Sequence, residues 1–178
     1  MEKIDINANY YLSAPHENDI PLFVKHLNDK DIYERTLNIP FPYTETDAQR
    51  FLQLSDQQNK LFGHIVSFVI RNKSDELIGA FGFHGKNLTA VFRHKDEIGY
   101  WLAKEHRNKG IMTAVLPVMI KYGEEVHGIK RFEAPVFSFN TESEKLLLKC
   151  GFKQEGFFEK AYFKNGEYID AKLFALVK

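Results

Sequence analysis

The chain has 178 residues, 44% apolar and 27% charged, enough to bury the core of one ordinary globular domain spanning 1–178. Its 24 basic and 24 acidic side chains cancel, which argues against a DNA-coating protein or a polybasic membrane anchor. Sixteen Phe, eight Tyr and one Trp exclude a disordered chain, and a single cysteine, Cys150, excludes an internal disulfide or a multi-thiolate zinc site.

The opening residues carry no apolar block of the kind a secretory signal needs. The longest apolar run, 114–120, contains Pro117 and falls far short of the about 20 residues that cross a bilayer. A soluble, cytoplasmic protein without a membrane partner is the expectation.

The first third reads as helical. Asn18 and Asp19 are suited to cap a helix through Leu22, Phe23 and Leu27, with Pro21 tolerated in its first turn. The prolines at 40 and 42 keep 39–43 extended, and 44–59 is a second helix with Ala48, Phe51, Leu52 and Leu54 on its apolar face. The middle is strand-like over 64–71, 77–83 and 97–102. Helical spacing resumes over 109–126, where Pro117 is expected to kink the helix or weaken a turn. An extended segment at 131–139 precedes a helix opened by a capping box at Thr141 and Glu144 and closed by Gly151. Asn165-Gly166 between two strand-like runs is a strong hairpin signal. Helices, strands, helix, strand, helix and hairpin together predict a mixed α/β (α+β) domain.

Several motifs lead nowhere. The glycines at 79, 82 and 85 before Lys86 lack the P-loop spacing, and Asn87 stands where that loop needs Ser or Thr. The seven histidines show no i, i+4 metal-binding pair, so no metal is implied. Cys150 falls at a helix C-terminus, whose dipole disfavours a thiolate, and reads as a structural thiol.

The informative segment runs from Glu97 to Thr113, a strand passing through a short basic turn into a helix. The amides of Asn108, Lys109, Gly110, Ile111, Met112 and Thr113 have no intrahelical partners there. With Arg107 and Lys109 beside them they form either an anion site suited to a pyrophosphate or a plain solvated basic turn.

Arg107-x-x-Gly110-x-Met112-Thr113 resembles the Arg/Gln-x-x-Gly-x-Gly/Ala signature of the GNAT N-acetyltransferases, which grips the pyrophosphate of acetyl-CoA. The preceding Glu97-Ile98-Gly99-Tyr100-Trp101-Leu102 is similar to the lead-in strand of the RimJ/RimL-type branch. Asn140-x-x-Ser143 with Lys149-x-Gly151-Phe152 is similar to a second block of that branch, and the match extends through Tyr162 to Gly166. Met112 departs from the signature by replacing the second small residue.

The resemblance implies a GNAT fold: a twisted, mostly antiparallel central sheet flanked by helices and splayed at the acetyl-CoA site. It implies acetyl-CoA as cosubstrate, with backbone at Trp101 and Leu102 pairing with the pantetheine arm. Asn140 would hold that arm, cap a helix, or do both. The reaction implied is direct acetyl transfer to a primary amine, such as a protein N-terminus, with no DNA partner. Glu97 is the candidate base and Ser143 the candidate donor to the thiolate; a plain ion-paired strand carboxylate and a first-turn helix serine are the competing readings. Phe41, Tyr43 and Tyr162 are expected to shape the acceptor pocket. A silent acyl-CoA-binding sensor or a scaffold with this fold is the alternative.

Overall fold

The computed structural model describes residues 3–84 and 91–178. They fall into two compact units visited in turn by the chain: Met1–Phe83 with Gly99–Ala114, and His84–Ile98 with Val115–Lys178. The Gly85-Lys86-Asn87 stretch set aside above lies outside the described residues.

The first unit opens with a hairpin, β1 (Lys3–Asn7) and β2 (Tyr10–Ser13), where the sequence reading expected helix. β1 alternates polar and apolar residues from Lys3 to Asn7, but over only five positions; the side chain of Asn7 accepts from the Asn9 amide and sets the turn. β3 (Ser67–Asn72) pairs antiparallel with β2 and with β4 (Leu77–Phe83). Helices α1 (Ile20–Leu27), α2 (Lys30–Arg35) and α3 (Glu45–Phe62) contribute Phe23, Leu27, Ile32 and Ala48, and the loop before α3 contributes Tyr43, to a core with Val69 and Leu77. Thr44 caps α3 in a reciprocal capping box with Asp47.

Asp19 precedes α1 but does not cap it with its side chain. Its two carboxylate oxygens each lie 2.8 Å from the guanidinium of Arg71 on β3, and both residues are almost fully buried. An arginine is tolerated inside this strand only because the pair leaves neither charge uncompensated.

β5 (Lys95–Leu102) belongs to both units. In the first, Ala103, just past its end, donates to the Ile78 carbonyl of β4 at 2.9 Å. A Cβ on Gly79 would lie 2.5 Å from the carbonyl oxygen of Trp101, so this close backbone approach requires glycine.

In the second unit β5 pairs parallel with β6 (Arg131–Phe137) from Lys95↔Arg131 to Glu97↔Glu133. β6 pairs antiparallel with β8 (Glu167–Val177), which pairs antiparallel with β7 (Lys153–Lys164). Asn165 and Gly166 adopt φ of 53° and 82°, the two left-handed positions of the expected tight hairpin turn. Through the shared β5 the strand order is β1-β2-β3-β4-β5-β6-β8-β7, the mixed, mostly antiparallel sheet with helices that the family resemblance implied.

α4 (Ile111–Glu125) continues past Pro117, which has no N–H to donate to the Thr113 carbonyl, so that turn lacks one backbone bond. Pro117 lies on the exposed face, while Val115, Leu116, Met119 and Ile120 are buried. α5 (Thr141–Lys149) starts one residue earlier than the capping-box reading: Asn140 is the cap, and its Oδ1 accepts from the Ser143 amide at 3.3 Å.

Candidate active site

Beyond β5 the chain makes a short 3-10 turn over Lys104–His106, then reaches Arg107 in an extended conformation. Asn108 and Gly110 follow with φ of 59° and 73°, flanking Lys109. Residues of left-handed conformation at this spacing turn the backbone into an anion-binding concavity. The first helical bond of α4 runs from Ala114 to the Gly110 carbonyl at 3.1 Å, so the amides of Ile111, Met112 and Thr113 lie in the first turn, beyond the reach of the helix's own carbonyls. The helix dipole adds positive potential at that end. Asn108, Lys109 and Gly110 are exposed.

The side chain of Met112 is 6% exposed. The departure from the family signature therefore adds bulk on the packed side of the helix, and the first-turn position of the Met112 amide is unaffected.

Arg107, expected as a phosphate ligand, has protein partners on its guanidinium. Its Nη1 lies 2.6 Å from Asp31 Oδ2, its Nη2 2.7 Å from Asp29 Oδ2, and its Nε donates to the Leu102 carbonyl at 3.1 Å. Every nitrogen of the guanidinium thus has a partner. Asp29 also caps α2 through the Asp31 amide, so Arg107 ties the basic turn to the start of that helix. Burial pushes the Asp31 carboxyl up, but Arg35 and Arg107 outweigh it and hold it below the ordinary aspartate range. The sequence signal for this pairing is only the Asp29-x-Asp31 spacing, uninformative without the fold.

A second set of residues gathers in the other unit. Glu97 and Glu133 are register partners on adjacent parallel strands and so share a sheet face, with Phe137 two pleats further along β6. Tyr162 packs its ring 5.5 Å from that of Phe137. An irregularity in the β7–β8 register between Phe158 and Tyr162, with Lys160 at φ 51°, re-aims the strand just before this tyrosine. Burial raises the Tyr162 phenol, and the negative charge of Glu97 adds to the rise. The structure thus brings together two of the predicted residues, Glu97 and Tyr162.

The two glutamates differ in their partners. Glu133 is bound by Arg131 Nε at 2.7 Å and by Lys95 Nζ at 3.2 and 3.3 Å. Burial pushes its carboxyl up, yet these two cations bring it below its ordinary value. Glu97 instead has His84 Nδ1 2.8 Å from its Oε1. The sequence reading passed over His84, one of seven histidines without a recognisable spacing; only strand pairing brings it to Glu97.

The remaining predicted residues have distinct positions. Trp101 packs on the helical core of the first unit, its ring 6.2 Å from that of Phe23. Tyr43 belongs to the same core at 6% exposure, with its backbone held by the Asn28 side chain, and burial pushes its phenol up to about 12. Its ring is thus part of the packed core. Phe41 is exposed beside the ring of Tyr33. Asn140 and Ser143 sit together at the start of α5, joined by the cap.

A strand leading through a left-handed basic turn into a helix N-terminus is the arrangement expected of an acyl-CoA-type transferase. Residues 10–153 match the acetyltransferase (GNAT) domain family model. The ribosomal-protein-serine acetyltransferase of Escherichia coli (strain K12) is 30% identical over 99% of this chain and 97% of its own length. The uncharacterized N-acetyltransferase YoaA of Bacillus subtilis (strain 168) is 36% identical over 61% of this chain and 59% of its own. In fold, the chain is similar to RimL, a ribosomal L7/L12 alpha-N-protein acetyltransferase solved with coenzyme A, at TM-score 0.85 and 21% identity, covering 99% of this chain and 98% of that one. The chain belongs to the GNAT acetyltransferase family, in its RimJ/RimL-type branch. It is an acetyl-CoA-dependent N-acetyltransferase.

Proposed function

We propose that the chain, as one domain over 1–178, transfers an acetyl group directly from acetyl-CoA to a primary amine, with a protein α-amine as the first acceptor to test. The family match runs through residues of both units, which favours a single functional domain. The relative named for ribosomal-protein serine favours the α-amine. A cytoplasmic location goes with this reading, because cosubstrate and acceptor of that kind are both found there.

The first-turn amides of α4 behind the left-handed Asn108 and Gly110 carry the cofactor side of the reading. With the Asn108 and Lys109 amides they would bind the pyrophosphate, and the Lys109 ammonium would balance its charge. Arg107 would hold the turn in shape through Asp29 and Asp31. The pantetheine arm would run along the backbone at Trp101 and Leu102, with Asn140 at its far end.

Protonated α-amines titrate at about 8 and alkyl amines at about 10, so the acceptor must lose a proton before its lone pair attacks the thioester carbon. Glu97 would take that proton. As the C–S bond breaks, Ser143 would hydrogen-bond the departing thiolate, which protonates at about 8.5 if it behaves like cysteine. Phe41 and Tyr162 would contact the acceptor.

Release of free thiol from acetyl-CoA, assayed against a panel of N-terminal peptides and small amines, tests the reading. Acceptor-dependent release is expected. Binding of acetyl-CoA without release for any amine would mark a silent sensor instead.

A further inference from the structure

β8 lies between β6 and β7, so side chains of the two outer strands can meet only across it, on one face of the sheet. The rings of Phe137 on β6 and Tyr162 on β7 do so, with centroids 5.5 Å apart. Strand register shows how they reach. Ala171 on β8 is the partner of both Phe137 and Phe158, so the three residues form one row across the strands. Ala171 is fully buried, and its single methyl group leaves room for rings to cross the strand. Phe139, two residues past Phe137, sets its ring 5.6 Å from that of Phe137.

This aromatic surface adjoins the proposed base. Glu97 is the register partner of Glu133, and Phe137 lies four residues beyond Glu133, roughly 13 Å at about 3.3 Å per residue. Tyr162 links the two ends: its ring packs on Phe137, while its phenol is raised first by burial and then by the charge of Glu97. Phe139 is 50% exposed and Phe158 46%, whereas Phe137 is buried. Large rings left half in water forgo burial, and apolar surface gathered beside a reacting group gains when a ligand's own apolar part covers it. A hydroxymethyl side chain would gain little there; an aliphatic or aromatic one would gain much more.

We infer that Phe139 and Phe158, joined to the base by Tyr162, select the acceptor by taking an apolar side chain carried on the carbon next to the amine. The substrate class is a peptide or protein whose first residue is Leu, Met or Phe. Phe137 is the buried support that fixes the angle of the exposed rings. The inference rests on the proposed function above, in which the amine gives its proton to Glu97.

The test measures kcat/KM by thiol release for peptides identical except for a first residue of Ser, Leu or Phe. The wild-type protein is expected to favour Leu and Phe over Ser at least about tenfold, the lower end of what a hydrophobic pocket discriminates. In Phe139→Ser that ratio is expected to fall below about threefold, and in Phe139→Leu, which keeps an apolar side chain, to stay above about fivefold. Should Phe139→Ser not fold, Phe158→Ser replaces it, its ring being exposed to a similar degree. A wild-type ratio below about threefold overturns the inference, as does a high ratio that both serine variants leave unchanged. An equal rise in the KM for acetyl-CoA also overturns it, since the ring would then serve the cofactor arm. The two levels separate cleanly. If no peptide or small amine releases thiol, the proposed function falls and this inference with it; if Ser peptides release it as fast as Leu and Phe peptides, only the inference falls.

Discussion

Arg107 and Asp31 meet at 2.6 Å, joining the turn after β5 to the first turn of α2 across 76 residues of sequence. With Asp29 on its other nitrogen, the guanidinium acts as a brace for the turn that carries the first-turn amides of α4. A brace and a phosphate ligand make different predictions. If Arg107 bound pyrophosphate, removing Asp29 and Asp31 would free it and leave acetyl-CoA affinity equal or better. The bracing role predicts that Asp29→Ala/Asp31→Ala weakens acetyl-CoA binding as Arg107→Met does, roughly fivefold or about 1 kcal/mol for partly exposed pairs. Calorimetry on the two variants decides between them.

The same pair has a pH signature. Because Asp31 titrates below its ordinary value of 3.8, the folded state binds its proton less readily than the unfolded chain does. Its contribution is complete above that value and is lost as pH falls through the lower folded one. Arg107→Met should therefore be less stable than wild type at pH 7, with the gap narrowing once the pH drops below the ordinary aspartate value. Urea unfolding at a neutral and an acidic pH measures the gap; one that stays constant would mean the pair contributes nothing.

Glu97 and Ser143 carry the proposed chemistry. General acid or base groups contribute roughly 10²–10⁴-fold each, so Glu97→Gln and Ser143→Ala should lower kcat far more than they raise the KM for acetyl-CoA. Steady-state kinetics with the acceptor that gives the fastest thiol release provides the check. Turnover within about threefold of wild type in both folded variants would make the two residues structural.

Cys150 ends α5, and burial pushes its thiol up, so little thiolate is present near neutral pH. Cys150→Ala should retain activity, and mass spectrometry of the enzyme mixed with acetyl-CoA alone should find no acetylated protein. A burst of thiol release without acceptor, lost in the variant, would establish a covalent route.

Gly79 offers a purely structural check. A methyl group there would sit 2.5 Å from the Trp101 carbonyl and 2.7 Å from a Leu102 methyl. Gly79→Ala should destabilise the fold by about 1–3 kcal/mol, the usual cost of overpacking, read as a lower urea midpoint at unchanged slope. An unchanged midpoint would show that β4 and β5 can separate there without cost.

What the sequence by itself determined lies within a few residues of each signal. The left-handed pair at Asn165-Gly166, the helix after Thr44 and the strand–turn–helix around Gly110 are short-range features, because backbone sterics and nearby donors act over one turn. Family resemblance supplied the mostly antiparallel sheet flanked by helices around them. Tertiary structure alone decided which charges meet. Asp19 looked like a helix cap until Arg71, 52 residues away, took its carboxylate into the core. Tyr43, expected at the acceptor pocket, joins the core of Phe23, Leu27 and Ala48. The sequence did not show that α2 brings two aspartates to Arg107, and His84 was one histidine among seven until the fold set it beside Glu97. A charged or hydrogen-bonding side chain is satisfied by whatever partner folding brings within about 3 Å, and residue type and spacing along the chain do not encode that distance.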